Sequence, residues 1–148
     1  MTRGLLLVDL SGLFHAAWHA TAHKELNEAF DITYSAVRGA AAEYDAIAIC
    51  CDSGGKTWRH EKCSAYKATR LERDAQMIGQ LRDLELRLAS DGMHVFARKG
   101  FEADDIIATL ADWATARQLP TTIMSDDKDM AQCVGEFVGL YRPRQRAT

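Results

Sequence analysis

The chain has 148 residues, of which 47% are hydrophobic and 26% are charged, the balance of an ordinary soluble globular domain. A chain of this length fits one domain that buries roughly 70% of its unfolded surface. No apolar run approaches the roughly 20 residues of a membrane-spanning helix, so no membrane partner is expected. The net charge of −3 and the pI near 5.9 argue against a passive nucleic-acid binder with an overall basic surface.

Targeting and redox signals are weak. The apolar segment 5–8 is too short for a signal peptide, and Asp9 interrupts it, so a first β-strand explains it better. The four cysteines form no CxxC pair and show no disulfide-framework spacing. Reduced thiols in the cytoplasm are therefore the expected state.

Along the chain, apolar runs alternate with segments of helical periodicity. The expected strands are 5–10, 46–51, 93–96, 121–125 and 137–141. The expected helices are one capped by Ser11 that runs through Trp18, then 34–44, 71–90, 103–118 and a short one at 128–134. This alternation predicts an α/β fold with a mostly parallel central sheet and helices on both faces. We expect one domain over residues 1–141, followed at 142–148 by a basic tail or the start of a further region.

Acidic residues recur where the predicted strands end. Asp9 ends the first strand, Asp52 follows the second, and Asp127 follows the fourth, with Asp129 close behind. In open α/β sheets, ligands bind just outside the carboxyl ends of the strands. Another strand-to-helix junction contributes three more acids, namely Glu102, Asp104 and Asp105. The sequence therefore predicts that carboxylates from several elements meet at one edge of the sheet.

Carboxylates crowded in this way repel one another unless cations lie between them. Hard oxygen ligands suit Mg²⁺ or Mn²⁺, which also hold phosphate oxygens. Any single acid of the set is explained equally well by the preference of acids for helix N-termini. For the whole set, arriving at one edge from separate strands, a metal site is the better interpretation.

A second group of residues follows Asp52 and mixes cations with aromatic rings. Its members are Lys56, Arg59, His60, Tyr66, Lys67 and Arg70. Cations interleaved with aromatic side chains suit a phosphate backbone and stacked bases. The pattern alone is also typical of a solvated loop, but its position directly after Asp52 favours nucleic-acid binding.

Five short motifs occur in order along the chain. They are Val8-Asp9, Arg59-His60-Glu61, Tyr66-Lys67 with Arg70, Phe101-Glu102-Ala103-Asp104-Asp105, and Ser125-Asp126-Asp127-Lys128-Asp129-Met130-Ala131-Gln132. Together they resemble the 5′-3′ exonuclease and flap endonuclease family, to which the nuclease domain of bacterial DNA polymerase I and its phage relatives belong. The resemblance extends over nearly the whole chain, and the ordered set is far more specific than any one motif.

The resemblance implies a PIN-like three-layer fold with a helical arch. It also implies metal-dependent hydrolysis of DNA near 5′ single-stranded ends or flaps, including RNA-primed ends. The expected context is DNA replication and repair. The resemblance places Asp9, Asp52, Glu102 and Asp104 around a first ion, with Asp105 in the same cluster and Asp127 and Asp129 toward a second. It assigns Lys67 and Arg70 to the scissile phosphate, Tyr66 to a base, and Arg59 and His60 to the arch entrance.

Three departures from the family pattern qualify this expectation. Ala16 stands where the family usually has an arginine, and Asp126 adds a negative charge beside the site. The expected domain also ends near Tyr141, before the helix-hairpin-helix region that, in the family, binds duplex DNA and supplies two further aspartates. The second metal site is therefore expected to be incomplete, and the chain to be a fragment, a reduced variant or half of a split enzyme with a separate helix-hairpin-helix subunit.

Two other functions stay open on the sequence. A PIN-type ribonuclease uses a similar carboxylate cluster but lacks the motif of Tyr66, Lys67 and Arg70. A non-catalytic DNA-binding subunit of a split nuclease would explain the missing ligands of the second metal, although every carboxylate of the first is retained.

Overall fold

The computed structural model describes residues 4–21, 27–53 and 75–143. Its centre is a five-stranded sheet in the order β3-β2-β1-β4-β5. The strands are β1 (Leu5–Asp9), β2 (Ala46–Cys50), β3 (His94–Phe96), β4 (Thr121–Met124) and β5 (Val138–Tyr141). Every neighbouring pair is parallel, so the carboxyl ends of all five strands lie at one edge.

Helices cover both faces of the sheet. They are α1 (Leu10–Ala20), α2 (Glu28–Ala41), α3 (Ala75–Ser90), α4 (Ala103–Ala116) and a 3₁₀ helix (Lys128–Cys133). One apolar core joins α1, α2 and α3 to one face, and a second joins α4 and the 3₁₀ helix to the other. The sheet and the helices on its two faces therefore form three layers. The predicted α/β fold with a mostly parallel sheet is confirmed.

The central strand β1 shows why the sheet forms between two layers. All of its residues are buried, as expected for a parallel strand that is covered on both faces. Leu6 and Val8 point into the core of α1 to α3, whereas Leu5 and Leu7 point toward α4. By the same alternation Asp9 belongs to the α4 face, at the carboxyl end of the sheet.

Some element boundaries differ from those expected. The N-cap of α1 is Asp9 and not Ser11, because the Asp9 side chain accepts a hydrogen bond from the Gly12 backbone N–H. Helix α2 begins at Glu28, six residues earlier than predicted, after Asn27 in the left-handed conformation. The segment expected as a short helix at 128–134 is a 3₁₀ helix. The helical arch and residues 71–74 of the third predicted helix lie outside the described residues.

Candidate metal centre

Asp9 lies at the end of β1 with its side chain held at both oxygens. Oδ1 accepts from the Gly12 backbone N–H at 3.0 Å, and Oδ2 accepts from the Ser125 hydroxyl at 2.8 Å. The residue is only 3% exposed. A Cβ atom on Gly12 would stand 2.2 Å from Asp9 Oδ2, so glycine is needed to leave room for the carboxylate.

Asp52 joins the end of β2 to the start of α4. Its Oδ1 accepts from the Ala103 backbone N–H at 2.7 Å, and its own backbone N–H donates to the Ser11 hydroxyl at 3.0 Å. Ser11 is buried. These bonds fix Asp52 beside the amino end of the helix that carries the next two acids.

The first turn of α4 presents Glu102 and Asp104. Glu102 is the N-cap and forms a reciprocal capping box with Asp105, whose Oδ2 accepts from the Glu102 backbone N–H at 2.9 Å. Such a box satisfies backbone N–H groups that a helix start would otherwise leave unpaired. Asp105 is therefore engaged by the backbone, and it also lines a groove formed with Phe101.

Ser125 connects β1 to the loop after β4. Its hydroxyl is fully buried; besides donating to Asp9, it accepts from the Asp127 backbone N–H at 3.1 Å. Asp127 in turn caps the 3₁₀ helix by accepting from the Asp129 backbone N–H at 2.9 Å. Arg142, just beyond β5, braces the same loop by donating to the Asp126 carbonyl at 3.1 Å.

Burial and neighbouring carboxylates raise the pKa values of Asp9 and Asp104. Burial raises the pKa of Asp9 to about 6, with further increases from Asp52 and Asp127, while the hydrogen bonds from Ser125 and Gly12 oppose the shift. The pKa of Asp104 is also raised to about 6, by burial first and then by Asp9, Asp127, Asp52 and Glu102. These charge effects on Asp9 and Asp104 place the five carboxylates in one cluster at the carboxyl edge of the sheet.

The predicted site residues divide into three groups. The structure brings together Asp9, Asp52, Glu102, Asp104 and Asp127. Asp105 serves the helix cap, and Asp129 is exposed and offers its backbone to Asp127. The predicted nucleic-acid residues Lys56, Arg59, His60, Tyr66, Lys67 and Arg70 lie outside the described residues.

Comparison with known proteins establishes the family. The model of the 5′-3′ exonuclease N-terminal resolvase-like domain matches residues 4–148. The chain belongs to this family. DNA polymerase I of Treponema pallidum is 34% identical over 148 residues, which cover 93% of this chain and 15% of the polymerase. DNA polymerase I of Mycobacterium leprae is 33% identical over 95% of this chain and 16% of its own length.

Two solved structures share the fold of this chain. The T5 5′-exonuclease with bound divalent metal ions (zinc) has a TM-score of 0.74 at 20% identity, over 97% of this chain and 56% of the phage chain. The T5 D15 flap endonuclease (D155K) in a pseudo-enzyme-product complex with DNA and metal ions has a TM-score of 0.69 at 19% identity, over the same shares. In the described part of this exonuclease-family domain, no helix is both long and apolar enough to traverse a lipid bilayer.

The donor set can be tested against a divalent cation. Within residues 4–21, 27–53 and 75–143, no three acidic, histidine or cysteine side chains already surround one point closely enough to hold an ion. The acids are nevertheless close enough for neighbouring carboxylates to raise the pKa values of Asp9 and Asp104, and a cation between them would relieve that repulsion. Carboxylate oxygens without thiolates or imidazoles fit a hard ion such as Mg²⁺ or Mn²⁺.

The raised pKa values predict an unusual pH dependence of stability. Asp9 and Asp104 have pKa values of about 6 in the folded chain, whereas the ordinary value of an aspartate side chain is 3.8. At a pH between these two values, the folded state therefore binds more protons than the unfolded state. Stability should therefore fall as pH rises through this window. In EDTA, urea unfolding should give a free energy roughly 1–3 kcal/mol larger at pH 5 than at pH 7.5. The difference should shrink in Asp104→Asn, and an equal or larger stability at pH 7.5 would contradict the assignment.

Ser125 is a residue whose role the sequence did not reveal, and its removal should weaken metal binding. Ser125→Ala removes the hydrogen bond that Asp9 Oδ2 accepts, and it leaves the Asp127 backbone N–H without its acceptor. We expect Mn²⁺ affinity, measured by isothermal titration calorimetry, to fall about 10- to 100-fold, as for other residues that orient metal-binding groups. Ser35→Ala, on the exposed surface of α2, is the control. Unchanged affinity in Ser125→Ala would show that the bridge does not position the site.

Proposed function

We propose that this chain is the catalytic domain of a divalent-metal-dependent 5′-3′ exonuclease or flap endonuclease that hydrolyses phosphodiester bonds of DNA near 5′ ends. The observation that carries the proposal is the meeting of Asp9, Asp52, Glu102, Asp104 and Asp127 at one edge of a parallel sheet. Membership of the exonuclease family supports it, as do the DNA polymerases among the relatives. DNA replication and repair are the expected context.

Two ions are proposed, each Mg²⁺ or Mn²⁺. Asp9, Asp52, Glu102 and Asp104 would hold the first, directly or through water, and Asp127 and Asp129 would contribute to an incomplete second site. Such ions, when bound, lower the pKa of water and neutralise charge on phosphoryl oxygens. The divalent metal ions (zinc) bound to the T5 5′-exonuclease support dependence on a divalent ion.

The contribution of this chain's own residues is orientation. Gly12 and Ser125 fix both oxygens of Asp9, and Ala103 fixes one oxygen of Asp52. Because these bonds come from backbone groups and a fully buried hydroxyl, the carboxylates need little reorganisation before they act. We expect Lys67 and Arg70 to add positive charge at the scissile phosphate.

The proposed substrate is DNA with a 5′ single-stranded end or flap, RNA-primed ends included, and the T5 complex with DNA supports it. The chain spans about one sixth of the polymerases it matches. We propose that preference for a flap junction needs a helix-hairpin-helix region, in the same or a separate polypeptide. We also propose a cytoplasmic location, where Cys50 and Cys51 would persist as buried thiols with raised pKa values.

The test is cleavage by the purified chain of three labelled substrates: a 5′-flapped DNA, a single-stranded DNA and a single-stranded RNA. We expect DNA products only with Mg²⁺ or Mn²⁺, none in EDTA, and recovery when the ion is restored. Cleavage that persists in EDTA would exclude the metal mechanism. Preferential RNA cleavage would favour the PIN-type ribonuclease, and DNA binding without cleavage at any metal concentration would favour the non-catalytic subunit.

A further inference from the structure

A groove lies between the edge strand β3 and helix α4, beside the acidic cluster. The side chains of strand β3 alternate between the two faces of the sheet. Val95 packs into the core of α1 to α3, whereas Phe96 faces the α4 side and is 42% exposed. Phe101, just before α4, is 37% exposed. Both rings line the groove, which has a volume of about 750 Å³ and whose wall continues along α4 through Ile106 and Leu110.

The loop above this groove, residues 97–101, carries two cations, Arg98 and Lys99. Arg38, Arg82 and Arg87 are each paired with a carboxylate. Arg98 and Lys99 are exposed and, among the residues that the structure describes, have no carboxylate within ion-pair distance. The Arg98 guanidinium instead lies over the Phe101 ring, 5.5 Å from its centre.

A turn brings this cation and this ring together. Gly100 has a φ of +87°, a conformation that glycine adopts without strain. The Phe101 backbone N–H donates to the Arg98 carbonyl at 3.0 Å. The chain then passes directly into Glu102, the N-cap of α4. The loop therefore presents a charge and a stacking surface at the point where the acidic cluster begins.

The groove is also close to Asp9 across the sheet. Phe96 pairs in register with Cys50, and Cys50 pairs with Asp9, so the three side chains lie on one row and one face. Two strand spacings separate Phe96 from Asp9, about 10 Å. Phe96, Phe101 and the two cations therefore lie on the β3 side of the acids.

We propose that this groove and loop bind the single strand of DNA that enters or leaves the acidic cluster, with Arg98 and Lys99 on phosphates and a base on Phe101. The inference rests on the proposed function and adds a strand path on the β3 side. Cations beside an exposed ring match the backbone and bases of a single strand. An apolar protein segment would leave both cations without a counter-charge, so the strand is the better occupant.

The test is fluorescence anisotropy of a labelled single-stranded DNA with the full chain in Ca²⁺, over a series of salt concentrations. In Arg98→Ala/Lys99→Ala the affinity should fall about 10-fold, and the slope of log K against log salt should decrease by about 1.4, since each lost phosphate contact on a single strand contributes about 0.7. In Phe101→Leu the affinity should fall about 5-fold or more with an unchanged slope, because a stacked base is lost and no phosphate contact.

Matched controls separate this path from general charge effects. Arg38→Ala/Arg117→Ala removes the same charge at the amino ends of the strands, away from the acidic cluster. Trp113→Leu removes an exposed ring on α4. Neither change should alter affinity or slope. An equal loss in these controls, or unchanged binding in the loop variants, would overturn the inference. Metal-dependent cleavage by wild-type protein would then still support the proposed function, whereas its absence in wild type would remove that function instead.

Discussion

Asp9→Asn is expected to lower metal-dependent cleavage about 1,000-fold, because a bound ion contributes several kcal/mol of transition-state stabilisation and about 1.4 kcal/mol corresponds to tenfold in rate. The same substitution should stabilise the metal-free protein. Burial raises the pKa of Asp9 to about 6, so its ionised form opposes folding at neutral pH. Removing that charge should increase the unfolding free energy at pH 7.5 by about 1–3 kcal/mol, and the melting temperature by several degrees.

Asparagine is a close structural match at this position. Its carbonyl oxygen can accept from the Gly12 N–H, its amide can donate to the Ser125 hydroxyl, and asparagine is a good N-cap for α1. Addition of Mn²⁺ should raise the melting temperature of wild type and leave that of Asp9→Asn almost unchanged. Asp83→Asn, an exposed acid on α3, should behave like wild type in both assays. A variant that retains cleavage, or one that melts earlier than wild type in EDTA, would contradict the placement of Asp9 in the cluster.

Lys67→Ala and Arg70→Ala should each lower the single-turnover cleavage rate about 100-fold while weakening DNA binding only a few-fold. Their positive charge is expected to stabilise the phosphoryl oxygens most strongly as charge develops in the transition state. Rates at saturating enzyme and anisotropy titrations in Ca²⁺ separate the two effects. Both residues lie outside the described residues, so this prediction depends on the family resemblance.

Lys56→Ala provides a control within the same segment. Lys56 is expected to bind DNA and, unlike Lys67 and Arg70, is assigned no role at the scissile phosphate, so its loss should weaken binding and leave the saturated rate unchanged. If Lys67→Ala and Arg70→Ala show that same pattern, the two residues are backbone anchors and take no direct part in the reaction.

The alternation of strands and helices was readable from the sequence because each strand is a short apolar run. The prediction of Asp9 at the end of the first strand was correct, since β1 ends there. Helix α2 was placed too late because its first turns bury Ala29 and Thr33, a small and a polar residue that give little apolar periodicity. The strand order could not be deduced, since parallel strands are joined by long connections whose direction across the sheet local patterns do not determine.

Within the cluster, the acids were predictable and the groups that hold them were not. Ser125 attracted attention only as part of a motif, although its hydroxyl joins Asp9 to Asp127 across a sequence separation of more than a hundred residues. The sequence did not single out Gly12, because glycine is required at this position only by the orientation of the Asp9 carboxylate, which the structure reveals. The role of Asp105 in a capping box could have been predicted from the sequence. Asp105 follows Glu102 by three residues, which is the spacing of that box.

Three of the clustered acids also start helices: Asp9 caps α1, Glu102 caps α4 and Asp127 caps the 3₁₀ helix. In copies of this domain that lose nuclease activity, selection for folding alone would favour retention of Glu102 and Asp127, because an N-cap replaced by alanine costs about 1 kcal/mol. Asp9 is an exception, since asparagine caps α1 equally well without the buried charge. Asp104 differs, since within the described part of the chain its carboxylate makes no hydrogen bond and its raised pKa reflects a cost to folding. Among divergent copies, loss of Asp104 should therefore identify inactive descendants earlier than loss of Glu102 or Asp127.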